Sequence, residues 1–113
     1  MERKIAFFDI DGTLTSEIDE SIPESAVAGI RKAREKGHLM FINTGRCFQN
    51  VEPRFRQVGF DGYVCGCGLN IYCEGQELLY VPMPRTVKEE MLAQARLTGI
   101  EILFEARTGV AFD

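Results

Sequence analysis

Among 113 residues there is one histidine, and no apolar run approaches the length of a membrane span. A bilayer helix needs about 20 consecutive apolar residues, so no membrane segment is expected. An excess of positive charge is also missing. Thirteen basic against seventeen acidic side chains give a formal net charge of −4, which argues against a general nucleic-acid or anionic-membrane surface. Met1-Glu2-Arg3-Lys4 leads directly into a strand-like stretch, with no room for a signal peptide. A cytoplasmic location is the expectation. No G-x-x-x-x-G-K-[ST] loop occurs, which excludes Walker-type nucleotide binding. Internal repeats and low-complexity segments are absent too.

Four cysteines, Cys47, Cys65, Cys67 and Cys73, lack the spacing of a zinc site. Zinc sites usually pair one C-x-x-C with a second, or with histidines, and His38 stands alone. Buried, reduced thiols are the expectation for all four. His38 opens an apolar stretch and reads as structural.

What is present fits one domain of modest size. Hydrophobic residues make up 45% of the chain, enough for a real core and too many for disorder. Ile5 to Ile10 is apolar apart from Asp9, the pattern of a strand covered on both faces. Ser21-Ile22-Pro23-Glu24 predicts a helix start, with Ser21 near the cap and Pro23 in the first turn. That helix carries Val27, Ile30 and Ala33 inward and stops at Gly37. His38 to Asn43 predicts a second buried strand. Strand, helix and strand in this length imply a right-handed crossover with parallel strands.

A helix is predicted from about Cys47 to Val58, kinked or restarted at Pro53. Tyr63 to Cys67 predicts a third strand. Leu69–Tyr72 and Leu78–Val81 then form a hairpin around Glu74-Gly75-Gln76. Pro82 and Pro84 mark a boundary between residues 1–82 and 83–113. Beyond it, Thr86 to Leu97 predicts a helix with Val87, Met91 and Ala95 on one side, closed by Gly99. Two strands, 101–105 and 110–112, follow across Arg107-Thr108-Gly109.

The most informative segment is Phe7-Phe8-Asp9-Ile10-Asp11-Gly12-Thr13-Leu14-Thr15. On a strand, residues i and i+2 share a face, so Asp9 and Asp11 can point into one crevice. Two carboxylates so placed suit magnesium, or a division of labour between nucleophile and proton carrier. They equally suit a strand end capped by a turn, since Asp-Gly is ordinary turn chemistry. Strand two ends at Asn43-Thr44-Gly45. In an open parallel sheet, ligands sit beyond the carboxyl ends of the strands. Thr44 and Gly45 at a helix start would make an anion site through a hydroxyl, an unobstructed N–H and the helix terminus. Phosphate with magnesium reconciles that anion site with two neighbouring acids. Arg46 either meets substrate or pairs with an acid, and Thr13 supports the turn.

Phe-Phe-Asp-Ile-Asp-Gly-Thr-Leu, together with Phe-Ile-Asn-Thr-Gly-Arg at this separation, resembles the haloacid dehalogenase-like superfamily of phosphohydrolases. Within it the Cof-type sugar-phosphate phosphatases are most similar. The resemblance implies an α/β fold: a partial doubly wound parallel sheet over residues 1–82, and the opening of an inserted α/β cap over 83–113. It implies a magnesium-dependent hydrolase of small phosphomonoesters that works through an aspartyl-phosphate, with these 113 residues incomplete for turnover by themselves. Asp9 would be the nucleophile and Asp11 the acid and base. Asp9 and the Asp11 carbonyl would bind magnesium, and Thr44, Gly45 and Arg46 would hold the phosphate. A magnesium- or phosphate-binding module without turnover is the alternative. A receiver-like protein would want its Asp where Cys67-Gly68 stands.

Two departures from the family pattern stand out. Cys67-Gly68-Leu69 replaces an Asn-Gly-Ala-like stretch. The family's lysine and distal acids belong after the cap and have no counterpart here, Lys88 lying on the cap helix. Ile5–Phe8 is therefore expected to show an unpaired edge, open to self-association.

Overall fold

The computed structural model describes residues 2–112, and of Phe112 the backbone alone. Four-residue β1 (Ile5–Phe8) is shorter than the apolar run that encodes it. Its side chains alternate. Ala6 and Phe8 pack against the core, whereas Ile5 and Phe7 stay 55% and 56% exposed. The expected cover on both faces is therefore absent among the described residues. The cause is one-sided packing, relieved only where Phe7 leans on the Phe41 ring at 5.5 Å.

Helix α1 (Glu24–Glu35) begins just after Pro23, whose fixed φ suits the entry. Ser21 does not cap it; its hydroxyl donates to Asp19 Oδ1 at 2.7 Å. Ile30 is buried, with Val27 and Ala33 packed beside it. Gly37, at φ +93°, ends the helix as predicted. Strand β2 (Leu39–Asn43) follows and pairs in parallel with β1, Phe8 facing Ile42. The crossover read from the sequence is present.

Between Gly45 and Gly59 the restart expected at Pro53 is present, but the helix expected before it is not formed. Instead of one helix, there is a single 3₁₀ turn (Phe48–Asn50), then the short α2 (Pro53–Arg56). Proline disfavours the α region in the residue before it, and Glu52 is extended at φ −59°, ψ 151°. Pro53 also has no N–H to continue a preceding helix. The segment therefore restarts at Pro53, and Val51 and Phe55 become two of the most deeply buried side chains.

Strand β3 (Gly62–Cys65) pairs in parallel with β2. Residues 66–68 then leave the strand in a tight turn with Cys67 at φ +56°, so the predicted strand ends two residues early. Strands β4 (Asn70–Cys73) and β5 (Gln76–Tyr80) form the expected hairpin, β4 pairing antiparallel to β3 and β5 antiparallel to β4. The sheet order is β1-β2-β3-β4-β5. It is a mixed α/β sheet, parallel over its first three strands and with β1 at its edge. Gly62 marks a close approach: a Cβ there would fall 2.4 Å from the Phe41 ring and 2.5 Å from the Tyr72 carbonyl oxygen.

Asp61 holds three elements together. Its carboxylate accepts from the Met40 N–H at 2.8 Å and from Arg34 of α1 at 3.0 Å. After the prolines comes α3 (Arg85–Thr98), closed by Gly99 in the left-handed region. Strands β6 (Leu103–Ala106) and β7 (Gly109–Phe112) form a separate two-stranded sheet. Arg107, in the turn between them, pairs with Glu77 of β5 and lies 4.1 Å from the Tyr80 ring centroid. None of the described helices is long and apolar enough to cross a membrane.

Candidate active site

Strands β1 and β2 run in parallel and stop in register, so the chain leaves both at the same end of the sheet. Residues 9–15 emerge from one and residues 44–46 from the other. Asp9 is extended and its Oδ1 accepts the Ile10 N–H at 2.9 Å. Neither acid lies on the strand itself, as the sequence had suggested, because β1 ends at Phe8. The alternation survives nevertheless: Ile10 is wholly buried while Asp9 and Asp11 on either side are exposed.

A wide turn then closes through Leu14 N–H to Asp9 O and Thr15 N–H to Ile10 O. Gly12 makes this turn possible at φ +77°, a conformation that costs glycine little. Thr15, not Thr13, braces it from a side chain, its hydroxyl donating to Ile10 O at 3.1 Å. Thr13 is exposed. An apolar Leu14 before Thr15 was the available signal, since it buries the end of the turn.

Thr44 is buried, and its N–H donates to Val64 O at 2.8 Å. Its Oγ1 accepts the Arg46 N–H at 3.1 Å. A hydroxyl that accepts in this way keeps its own proton to donate. The Cys67 N–H donates to Thr44 O, and a Cβ on Gly45 would meet Cys67 Sγ at 3.3 Å. The turn at 66–68 therefore closes over this loop. No helix starts at Thr44, because the first regular turn waits until Phe48. The expected contribution of a helix terminus to anion binding is accordingly withdrawn.

Arg46 pairs with an acid, and that acid is Asp11. Nη2 lies 2.6 Å from Asp11 Oδ1 and Nε 3.3 Å from Oδ2. This two-pronged contact directly joins the β1 and β2 loops. The guanidinium is anchored from behind by Asn50 O and Glu52, and its carbon lies 5.8 Å from the Phe55 ring centroid. Hydrogen bonding to Asp11 raises the Arg46 pKa further, against the opposing effect of partial burial. Glu52 is held below the usual carboxylate range by its hydrogen bond from Arg54, and less so by Arg46.

Among the described residues, no cluster of three or more His, Cys, Asp and Glu side chains could hold a metal. Magnesium does not need one, since it commonly takes one or two carboxylates with water and substrate phosphate. The exposed oxygen donors of Asp9 and Asp11 have the hardness it requires. Their number fits such a site. The Asp11 carboxylate is engaged by Arg46.

The thiols are free. Cys47 and Cys65 are buried as expected, but Cys67 is exposed because the left-handed turn lifts it off the sheet. Burial, with Cys47 nearby, pushes the Cys65 thiol up to about 11. His38 Nδ1 accepts the Lys4 N–H at 3.1 Å, the structural role foreseen for it.

Comparison with known proteins agrees with this arrangement. Residues 6–112 match the family of haloacid dehalogenase-like hydrolases. The HMP-PP phosphatase of Serratia proteamaculans (strain 568) is 31% identical over 91 residues, covering 79% of this chain and 33% of that protein. YkrA of Bacillus subtilis (strain 168), provisionally named a phosphatase, is 33% identical over 95 residues, covering 84% and 37%. A hypothetical protein from Geobacillus kaustophilus HTA426 superposes with a TM-score of 0.88 at 31% identity, over 98% of this chain and 43% of that one. The subclass IIB sugar phosphatase BT4131 gives 0.82 at 26%, over 98% and 44%. The chain thus spans between a third and a half of the proteins it matches here. With the mixed sheet, the acid-bearing turn after β1 and the Thr-Gly-Arg loop after β2, this chain belongs to the haloacid dehalogenase-like hydrolases.

Proposed function

We propose that this chain carries the nucleophile-bearing part of a magnesium-dependent phosphatase acting on small phosphomonoesters. The observation that carries the reading is the Arg46–Asp11 contact, which brings the β2 loop onto the acid turn. Residues 83–113 are the opening of an inserted α/β cap in this reading. BT4131 is a sugar phosphatase and the Serratia relative an HMP-PP phosphatase, so both support phosphate-ester chemistry while differing in leaving group.

The Asp9 carboxylate attacks phosphorus as the bond to the leaving oxygen breaks, and Asp11 gives that oxygen its proton. Asp11 then takes a proton from the water that attacks the aspartyl-phosphate, releasing phosphate and restoring Asp9. Arg46 keeps the Asp11 carboxyl aimed at this work. The Thr44 hydroxyl and the Gly45 N–H hold phosphoryl oxygens. Magnesium, held by the Asp9 carboxylate and the Asp11 carbonyl, would supply positive charge that offsets the transferring group.

Beryllium trifluoride, a mimic of phosphate on a carboxylate, tests the nucleophile. With magnesium, fluorine NMR of the chain should show a bound signal that disappears in Asp9→Asn and persists in Asp11→Asn. A bound signal unaffected by Asp9→Asn would contradict the assignment. Phosphate binding by a chain that never accepts the trifluoride would favour a binding module instead.

A further inference from the structure

The outer side of β1 is unpaired among the described residues, since the sheet order places this strand at the end. Native edges are usually interrupted by a proline, a bulge or an inward charge. Ile5–Phe8 contains none of these, and Ile5 and Phe7 stand 55% and 56% exposed beside the edge. We infer that this edge pairs with the same strand of a second copy of the chain, antiparallel and centred on Ala6. Arg3 of the second copy then meets Asp9.

Backbone direction and side-chain chemistry select one register. Lys4 turns both of its backbone groups toward β2: its O accepts the Leu39 N–H at 2.9 Å, and its N–H donates to His38 Nδ1 at 3.1 Å. That direction alternates along a strand, so Ile5 and Phe7 turn N–H and C=O to the open side. Centring on Ala6 sets Ile5 against Phe7 of the second copy, and each such pair exchanges both hydrogen bonds. Arg3 falls opposite Asp9 at either end, on the same face as the apolar pairs. A slip of one residue opposes outward-turned to inward-turned groups. A slip of two sets Phe7 against Arg3 or Ile5 against Asp9, an apolar chain against a charge. The run Arg3-Lys4-Ile5-Ala6-Phe7-Phe8-Asp9, basic at its start and acidic at its end, is thus complementary to its own reverse.

Little has to be given up to form the pair. Arg3 exchanges one exposed hydrogen bond, from Nε to Gly37 O at 3.0 Å, for the carboxylate. Asp9 is exposed and extended, and its Oδ1 accepts the Ile10 N–H, which leaves Oδ2 to the guanidinium. The contact is that of two short strands, so association is reversible. Resting on the reading of Asp9 as the nucleophile, the dimer is the unreactive form. Arg3 of the second copy occupies the carboxylate that would otherwise meet magnesium and phosphate.

Sedimentation of the 113-residue chain should show a mass that rises with concentration toward twice that of the monomer. Isotope-filtered NMR of mixed labelled and unlabelled chain should give contacts from Ile5 to Phe7 of the other copy, a readout that needs no variant. Ile5→Lys should remain monomeric. Arg3→Glu alone and Asp9→Lys alone should each weaken association roughly tenfold, because both end pairs become like-charged. Mixed together, the two variants should associate as tightly as the unaltered chain, since opposite charges face each other again at both ends. A monomer at every concentration, or contacts through another surface such as Leu97 of α3, overturns the pairing. A mixture no tighter than either variant overturns the register. Acetyl phosphate with magnesium should phosphorylate Asp9 less as the dimer forms, and fully in Ile5→Lys. Phosphorylation that ignores concentration overturns the inhibitory role. Its absence even from Ile5→Lys counts against the phosphatase reading and leaves the pairing standing.

Discussion

The two sheets of this chain are stabilised in different ways. The hydrophobic core, from Ile10 to Cys65, lies wholly in the five-stranded sheet, α1, α2 and the segments that join them. In the helix and hairpin beyond Pro84, Ala95 is the one buried apolar side chain among the described residues. Leu97 is 80% exposed there, and Ile100, Leu103, Met91 and Val87 are exposed as well. Overall dimensions reflect this. The radius of gyration is 16.9 Å, against about 13 Å for a compact domain of this length. The comparison teaches that identical local signals, capped helices and turn-closed hairpins, give elements whose stability depends on what they pack against.

Substitution in the first region should have the largest effect. Phe55 is wholly buried under the Arg46 loop. Phe55→Ala should cost about 3–5 kcal/mol in urea unfolding. A loss below about 1 kcal/mol would mean that the first region is no better packed than the second. Next, Gly62→Ala drives a methyl group into the Phe41 ring and the Tyr72 carbonyl, for about 1–3 kcal/mol by the same measurement. Wild-type stability in that variant would show that β3 and β4 are less tightly joined than the structure indicates.

Titration probes the first region at a finer level. The Cys65 thiol is raised to about 11, so its folded pKa exceeds the unfolded one. Its contribution is complete below the unfolded value near 8.5 and is lost as pH rises through about 11. Alkaline unfolding of the first region should therefore weaken in Cys65→Ala, and timed alkylation should label Cys67 long before Cys65. Labelling of both at one rate would contradict the buried position of Cys65. Smallest of all, Leu97→Ser on the outer face of α3 should change stability by no more than about 0.5 kcal/mol. Hydrogen exchange should nevertheless show α3 amides opening faster than those of β2 and β3.

Much of the fold was legible because its signals are local. Gly37 and Gly99 end their helices with positive φ, and Glu74-Gly75 turns its hairpin as read. The restart at Pro53 was legible too, but the helix expected before it is reduced to a 3₁₀ turn, and Cys67 takes a conformation that its side chain does not announce. The site was legible as a set of loops, since Asp9, Asp11 and Thr44-Gly45-Arg46 leave the sheet at one end. The bond that unites them was not. Arg46 reaches Asp11 across 35 positions, a pairing that depends on strand register and on the Phe55 support behind the guanidinium.

The central claim is that Asp9 accepts a phosphoryl group while Asp11, aimed by Arg46, moves the proton. It is tested most directly by incubating the chain with acetyl phosphate and magnesium, trapping any acyl phosphate with hydroxylamine, and locating the hydroxamate by mass spectrometry. The hydroxamate should form at Asp9, require magnesium, and be absent in Asp9→Asn. A hydroxamate at Asp11, or none at either acid, would contradict the account.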